Sequence, residues 1–182
     1  MVEFDKAVRR PLLEFVPAWV HPNHFTILRA LLLFPLILAR NIPWLAVSIV
    51  LLSSVCDLFD GPLARVRGQT SETGASLDAF SDKFFLLGAL FFACGSRVPS
   101  GLANPIGALD VLLTILRPIK KRLRVTTKSN KWGAAKTWSQ TAGLTCVLSG
   151  SPWLGNLVYP IFGLAILFAL LSFRGHLQDF GK

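Results

Sequence analysis

Residues 57–82 read DLFDGPLARVRGQTSETGASLDAFSD, and this stretch decides how the rest of the chain is interpreted. Its polar and small residues follow the pattern Asp57-x2-Asp60-Gly61-x2-Ala64-Arg65-x8-Gly74-x3-Asp78-x3-Asp82. These four aspartates are four of the ten acidic residues in the protein. A carboxylate at the centre of a membrane helix costs about 2.5–3.5 kcal/mol on insertion scales, so such residues usually mark a functional site. The cluster therefore indicates a site that binds a positively charged group.

The composition around this stretch is that of a membrane protein. The chain has 182 residues, of which 52% are hydrophobic and 16% charged, and its mean hydropathy is +0.53. A soluble domain carries about 25% charged residues. The apolar residues come in runs of about twenty, which is the length of a helix that spans a bilayer.

The hydrophobic runs predict an all-α integral membrane protein with a single domain over residues 1–182. An amphipathic juxtamembrane helix is predicted over residues 1–22, with Trp19 at headgroup depth. Six transmembrane helices are predicted within residues 24–173. Their predicted bounds are 24–40, 43–66, 75–96, 101–120, 133–150 and 153–173.

The distribution of positive charge predicts the orientation of the spans. The formal net charge is +9, and a basic run lies at residues 117–136, between spans four and five. Because cytoplasmic loops are enriched in Lys and Arg, this loop and both termini are predicted to be cytoplasmic. We interpret the basic run as a loop that contacts anionic lipid, and not as a nucleic-acid site. The aspartates then lie at the cytoplasmic ends of spans two and three.

The aspartate spacing predicts a metal site. Asp57 and Asp60 are three residues apart and Asp78 and Asp82 four apart, so each pair shares one face of a helix. Spans two and three form a hairpin, on which the two pairs can face each other. Hard oxygen ligands select Mg²⁺, Mn²⁺ or Ca²⁺, and four carboxylates suffice for two ions about 3.5–4 Å apart.

The other motif residues favour a phosphate ligand. Gly61, Ala64 and Gly74 are small and allow close approach to the backbone, while Arg65 offers a fork of donors for phosphate oxygens. Asp82 is our candidate for a general base.

The aspartate cluster has two alternative interpretations, a structural ion pair and a proton or ion relay, as in transporters. The clustering of acids at one edge, with only Asp110 isolated in span four, speaks against a relay.

The whole motif resembles the signature of the CDP-alcohol phosphotransferases. This resemblance implies a Mg²⁺- or Mn²⁺-dependent transfer of a substituted phosphate from a CDP-linked donor to an alcohol, with release of CMP. It implies that Asp82 is the base and that two ions are shared by Asp57, Asp60, Asp78 and Asp82. It also implies a homodimer and a CDP site formed by Asn23, Thr26, Asp60, Gly61, Ala64, Arg65 and Gly74.

Further residues resemble the bacterial phosphatidylglycerophosphate synthases of this family. They are Asn23-x2-Thr26-x2-Arg29, Arg117 and Gly133-x2-Lys136-Thr137-x2-Gln140. This similarity implies CDP-diacylglycerol as donor, glycerol 3-phosphate as acceptor and a bacterial cytoplasmic membrane. Arg117 and Lys136 would bind the acceptor phosphate, although topological charge explains both equally well. A lipid contact is an alternative for Arg29.

The acceptor stays open at this point. Pro118 and Ala134 stand where those synthases usually have an acidic residue and a lysine. Phosphatidylglycerol, as in cardiolipin synthases, and inositol phosphate are alternative acceptors with the same chemistry. A protein that binds or transports a nucleotide-activated lipid without chemistry is the remaining alternative.

Overall fold

The computed structural model describes residue 17, residues 19–122 and residues 131–178, and all regular secondary structure in this part is helical. The helices are α1 (Pro22–Leu31), α2 (Leu33–Ala39), α3 (Pro43–Val66), α4 (Glu72–Gly88), α5 (Ser100–Arg122), α6 (Lys131–Leu148), α7 (Pro152–Gly155) and α8 (Val158–Gln178). A π-helical segment (Ala89–Cys94) and a 3₁₀ turn (Gly95–Arg97) follow α4. The predicted all-α class is confirmed. Residues 1–16 and 18, and with them most of the predicted juxtamembrane helix, lie outside the described residues.

Prolines begin several of these helices. Pro22, Pro43 and Pro152 occupy the first turns of α1, α3 and α7, where a missing N–H costs no hydrogen bond and the fixed φ suits a helix. The first predicted span is interrupted at Leu32, which separates α1 from α2. The last predicted span begins within the four-residue α7 and continues in α8.

The hairpin between α3 and α4 carries the aspartate motif. Gly68 ends α3 with φ of 65°, a left-handed conformation that glycine adopts without a Cβ penalty. Ser71 then caps α4, because its hydroxyl oxygen accepts a hydrogen bond from the Gly74 N–H at 2.9 Å. The chain thus reverses within a few residues, and α4 returns alongside α3.

Three segments within the described residues are long and apolar enough to cross a membrane: Pro22–Ala39, Pro43–Val66 and Pro152–Gly175. The segment Ser100–Leu116 is apolar but shorter. Large apolar side chains cover the outer surface of the bundle, and the most exposed are Trp153, Leu38, Trp19 and Trp44. This outward-facing apolar surface is what a lipid environment requires.

The packing of α1 fixes the geometry of the polar centre. α1 packs against both arms of the hairpin, α3 and α4, while α6 packs against α3 and α8. The apolar core lies further along the helices and is built on Leu36, Val50, Leu144, Leu148 and Phe162, each almost fully buried. Polar residues are consequently gathered at the end of the bundle where the hairpin turns.

Candidate active site

One face of α1 contacts all four aspartates of the motif. Thr26 donates a hydrogen bond from its hydroxyl to Asp60 Oδ2 at 3.3 Å. One turn later, the Arg29 guanidinium bonds Asp57 Oδ1 at 2.6 Å and Asp78 Oδ1 at 3.4 Å, and it also bonds Asp82 Oδ1. α1 therefore links the two arms of the hairpin through their carboxylates.

Arg29 is itself buried, with 3% of its surface exposed. A side chain that reaches toward lipid headgroups would be exposed, so the alternative of a lipid contact for Arg29 is wrong. The sequence pattern drew attention to Arg29 but did not reveal its partners. The sequence signal for these contacts is that Arg29 follows Thr26 by three residues, which places both side chains on one face of a helix.

Three of the aspartates converge closely enough to hold a cation. One carboxylate oxygen from each of Asp57, Asp60 and Asp78 lies within 4.8 Å of the others. Carboxylate oxygens are the ligands that Mg²⁺ and Mn²⁺ prefer, so this donor set fits such an ion. Asp60 is held in place on both oxygens, because the Gly61 N–H donates to Oδ1 at 2.6 Å and Thr26 to Oδ2.

Asp82 is anchored by two cations. Its Oδ1 accepts from Arg29, and its Oδ2 accepts from the neighbouring Lys83 Nζ at 2.7 Å. Its side chain is 17% exposed, against 41% for Asp57 and 44% for Asp78. Each carboxylate oxygen has two lone pairs, so Asp82 retains capacity for a further proton or ligand. Lys83 is a second contact that the motif analysis missed.

A cavity of about 210 Å³, here called the hairpin cavity, opens beside the cluster between α1, α3 and α4. All seven residues predicted to bind CDP line it: Asn23, Thr26, Asp60, Gly61, Ala64, Arg65 and Gly74. Asp78 also lines it. The structure thus brings together, around one space, residues as far apart in the sequence as Asn23 and Asp78.

A second cavity of about 250 Å³, here called the α6 cavity, lies on the other side of the cluster. One wall carries Arg29 and the carboxylates of Asp57, Asp78 and Asp82. The opposite wall is α6, which contributes Gly133, Ala134, Thr137, Trp138 and Thr141. Asp78 lines both cavities, so the carboxylates stand between two spaces.

Of the two predicted acceptor residues, Lys136 lies apart from these walls. Lys136 is 3% exposed and bonds Asp110 Oδ1 on α5, and Gln140 Nε2 bonds Asp110 Oδ2 at 2.9 Å. The sequence suggested that Asp110 is isolated, whereas in the structure it is paired with both residues. Lys136 still lies within electrostatic range of Asp82 and Lys83. The side chain of Arg117 lies outside the described part of the structure.

Comparison with known proteins identifies this arrangement. Residues 19–172 match the family model of the CDP-alcohol phosphatidyltransferases, and this range contains both arms of the hairpin and both cavities. The chain belongs to the CDP-alcohol phosphatidyltransferase family. Members of this family use a divalent metal, in accord with the converging carboxylates. Together with the apolar helices, this membership makes the chain an integral membrane protein.

Two curated relatives of this phosphatidyltransferase carry the same name, CDP-diacylglycerol–glycerol-3-phosphate 3-phosphatidyltransferase. The protein from Cereibacter sphaeroides is 32% identical over 150 residues, covering 73% of this chain and 65% of the relative. The protein from Pseudomonas fluorescens is 28% identical over 142 residues, covering 72% of this chain and 73% of the relative. The matched part of the chain thus spans just under two thirds of the first relative.

Proposed function

We propose that this phosphatidyltransferase moves a phosphatidyl group from CDP-diacylglycerol to glycerol 3-phosphate, releasing CMP and forming phosphatidylglycerophosphate. The observation that carries the proposal is the position of the carboxylates between two cavities. A transfer between two substrates needs a donor on one side of the reacting phosphorus and an acceptor on the other. The names of both relatives support the choice of substrates.

The hairpin cavity is the proposed site of the cytidine diphosphate. Its small residues at Gly61 and Gly74 bring backbone close to the ligand, and Arg65 supplies a guanidinium for phosphate oxygens. The lipid tails of the donor would extend along the apolar outer surface of the bundle. The diphosphate then lies against Asp60 and Asp78.

The aspartates are the proposed ligands of two Mg²⁺ or Mn²⁺ ions. Asp57, Asp60 and Asp78 already converge, and Asp82 lies one turn beyond Asp78 on α4. Bound ions would neutralise charge on the diphosphate and on the departing CMP. The protein's own task is to hold the carboxylates, which Thr26, Arg29 and the Gly61 N–H accomplish.

The α6 cavity is the proposed site of the acceptor. The acceptor hydroxyl gives its proton to an Asp82 carboxylate oxygen, and its oxygen forms a bond to the donor phosphorus that carries diacylglycerol. The bond from this phosphorus to the bridging oxygen breaks, and CMP leaves with the electron pair. Lys136 and Arg117 are proposed to attract the acceptor phosphate, with Lys136 acting from behind the cavity wall.

We also propose that the described helices make six membrane crossings, with three contributed by the less apolar segments Glu72–Cys94, Ser100–Arg122 and Lys131–Leu148. The termini and the active site would face the bacterial cytoplasm, as the positive charge distribution supports. Trp44 and Trp153 would then lie together at the opposite interface, where tryptophan is enriched. A homodimer completes the proposal.

An acceptor panel tests the proposed function. The full chain, purified in detergent with phospholipid, is incubated with CDP-diacylglycerol, Mg²⁺ and one of three acceptors: glycerol 3-phosphate, phosphatidylglycerol or inositol phosphate. CMP release and the mass of the lipid product are measured. We expect phosphatidylglycerophosphate with glycerol 3-phosphate and at least about tenfold less product with the others. Phosphatidylglycerol lacks the phosphate monoester that the acceptor site would pair, and the inositol ring is bulkier than glycerol.

The outcomes separate the alternatives. Preferential use of phosphatidylglycerol would identify a cardiolipin synthase and overturn the proposed acceptor. Preferential use of inositol phosphate would do the same in favour of a phosphoinositide product. Donor binding without CMP release under any condition would support a binding or transport protein and overturn catalysis.

A further inference from the structure

The contacts of Arg29 set it apart from an ordinary surface arginine. Two of its nitrogens reach three carboxylates on two different helices: Asp57 on α3, and Asp78 and Asp82 on α4. The guanidinium contributes one positive charge to three negative ones. It is the only cation that the described residues show in contact with Asp57, while Asp82 has Lys83 as well.

Arg29 occupies the same carboxylates that form the proposed metal site. Its bond to Asp57 is 2.6 Å long and its bond to Asp78 is 3.4 Å, and both of these aspartates belong to the converging group of oxygens. Since Arg29 is 3% exposed, water does not screen its charge efficiently. A divalent cation held by these aspartates would lie within a few ångströms of a fixed positive charge.

We propose that Arg29 is the internal counterion of the acidic cluster, a positioning residue that opposes divalent-cation binding. The residue holds the three carboxylates together, so that α1, α3 and α4 keep their arrangement before a cation binds. The same charge repels the cation and lowers its affinity. This inference rests on the proposed metal site.

The two effects have opposite consequences when the charge is removed. A neutral residue leaves the carboxylates to repel one another, which destabilises the cation-free protein. It also deepens the negative potential that the cation encounters. Coulomb's law for charges of one and two across about 6 Å, even at the dielectric constant of water, predicts at least about tenfold tighter cation binding.

The test compares Arg29→Gln and Arg29→Lys with the unaltered full chain in detergent with phospholipid. Arg40→Gln serves as a matched control, because Arg40 is exposed and donates to the Phe92 carbonyl, away from the aspartates. Mn²⁺ binding is followed by the loss of the free-ion signal in electron paramagnetic resonance. Thermal unfolding is measured in EDTA and in saturating Mn²⁺.

We expect Arg29→Gln to bind Mn²⁺ at least about tenfold more tightly, with a lower melting temperature in EDTA that Mn²⁺ restores. Arg29→Lys keeps the charge and should bind within about threefold of the unaltered protein, as should Arg40→Gln. Should Arg29→Gln fold only with Mn²⁺, it is prepared in Mn²⁺ and its affinity measured by competition with a chelator.

Several results would overturn the inference. Equal or weaker Mn²⁺ binding by Arg29→Gln would show that Arg29 only orients the ligands or supports the fold. Tighter binding by Arg29→Lys, matching that of Arg29→Gln, would show that charge is not the cause. An error in the proposed metal site itself would show in different variants. In that case Asp57→Asn and Asp78→Asn would bind Mn²⁺ as tightly as the unaltered chain.

Discussion

Two ionic groups of this protein differ in their charge balance and their surroundings. At the hairpin, Arg29 meets three carboxylates, and cavities of about 250 and 210 Å³ open on either side. Between α5 and α6, Lys136 forms an ion pair with Asp110 and with no other described residue, and the neighbouring cavity measures about 10 Å³. The first group has an excess of negative charge and room for ligands. The second is neutral and closed.

The difference separates a site for chemistry from a contact that holds helices together. A buried pair of opposite charges satisfies itself and needs no further ligand. An excess of carboxylates is stabilised when a cation joins them, and the space beside them admits one. Gln140 extends the neutral group, since its Nε2 bonds Asp110 while its buried Oε1 has no partner among the described residues.

The largest effect on activity is expected when charge is removed from the acidic cluster. Asp57→Asn or Asp78→Asn should reduce CMP release by at least about 10²-fold, because a metal ligand or preorganised charge is lost. The folded structure should persist, since one fewer negative charge relieves repulsion. CMP release and thermal unfolding are measured on the same samples.

Glu72→Gln is the matched control, at the first residue of the helix that carries Asp78. Its activity should stay within about twofold of the unaltered protein. An asparagine variant that kept more than about a tenth of the activity would contradict the assignment of the metal ligands.

Substitutions in the neutral Lys136–Asp110 pair should change the free energy of unfolding. Lys136→Met leaves Asp110 as an unpaired buried charge and should cost about 3–5 kcal/mol of unfolding free energy. The double variant Lys136→Met with Asp110→Asn removes both charges, and the asparagine amide can still accept from Gln140. It should recover most of the loss. Unfolding by denaturant checks both expectations.

The same double variant decides what Lys136 does for the acceptor. If Lys136 attracts the acceptor phosphate, the folded double variant should show a raised KM for glycerol 3-phosphate with little change in kcat. An unchanged KM would limit Lys136 to its contact with Asp110.

Substitutions of two glycines in the hairpin cavity should have the smallest effects, and these effects are the most selective. A Cβ at Gly61 would lie 3.8 Å from the Arg65 side chain, an ordinary contact, whereas a Cβ at Gly74 would lie 2.9 Å from Ser71 Oγ. Gly61→Ala should therefore leave the melting temperature unchanged and raise the KM for CDP-diacylglycerol about three- to tenfold, since tenfold corresponds to only about 1.4 kcal/mol. Gly74→Ala should also disturb the Ser71 cap and cost about 1 kcal/mol of stability.

The two glycine variants differ only in that structural cost. Equal KM values for Gly61→Ala and the unaltered protein would contradict donor binding in the hairpin cavity. A melting temperature lowered by Gly61→Ala would show that the residue supports the fold instead.

The local features of the fold could be predicted from the sequence. Apolar runs located the helices, and the sequence predicted the hairpin between spans two and three, at the turn of which Gly68 and Ser71 lie. The fixed spacing of the aspartates and glycines predicted the residues that meet around the hairpin cavity. These signals are local, because each depends on residues within one or two helical turns.

Contacts between distant helices were not predictable in the same way. The sequence pattern does not determine how α1 rotates against the hairpin, so it left Arg29 between a site residue and a lipid contact. Lys136 and Asp110 are 26 positions apart on separate helices, and nothing near either residue indicates the other. The break at Leu32 and the π-helical segment after α4 likewise depend on packing.

The most direct measurement of the central claim is CMP release from CDP-diacylglycerol and glycerol 3-phosphate by the purified chain, with Mg²⁺ or with EDTA. We expect CMP release with Mg²⁺, no CMP release in EDTA, and recovery of CMP release when Mg²⁺ or Mn²⁺ is added back. Asp78→Asn should remain inactive in all three conditions, since Asp78 lines both cavities. Release that persisted in EDTA, or in Asp78→Asn, would contradict a metal-dependent transfer at the acidic cluster.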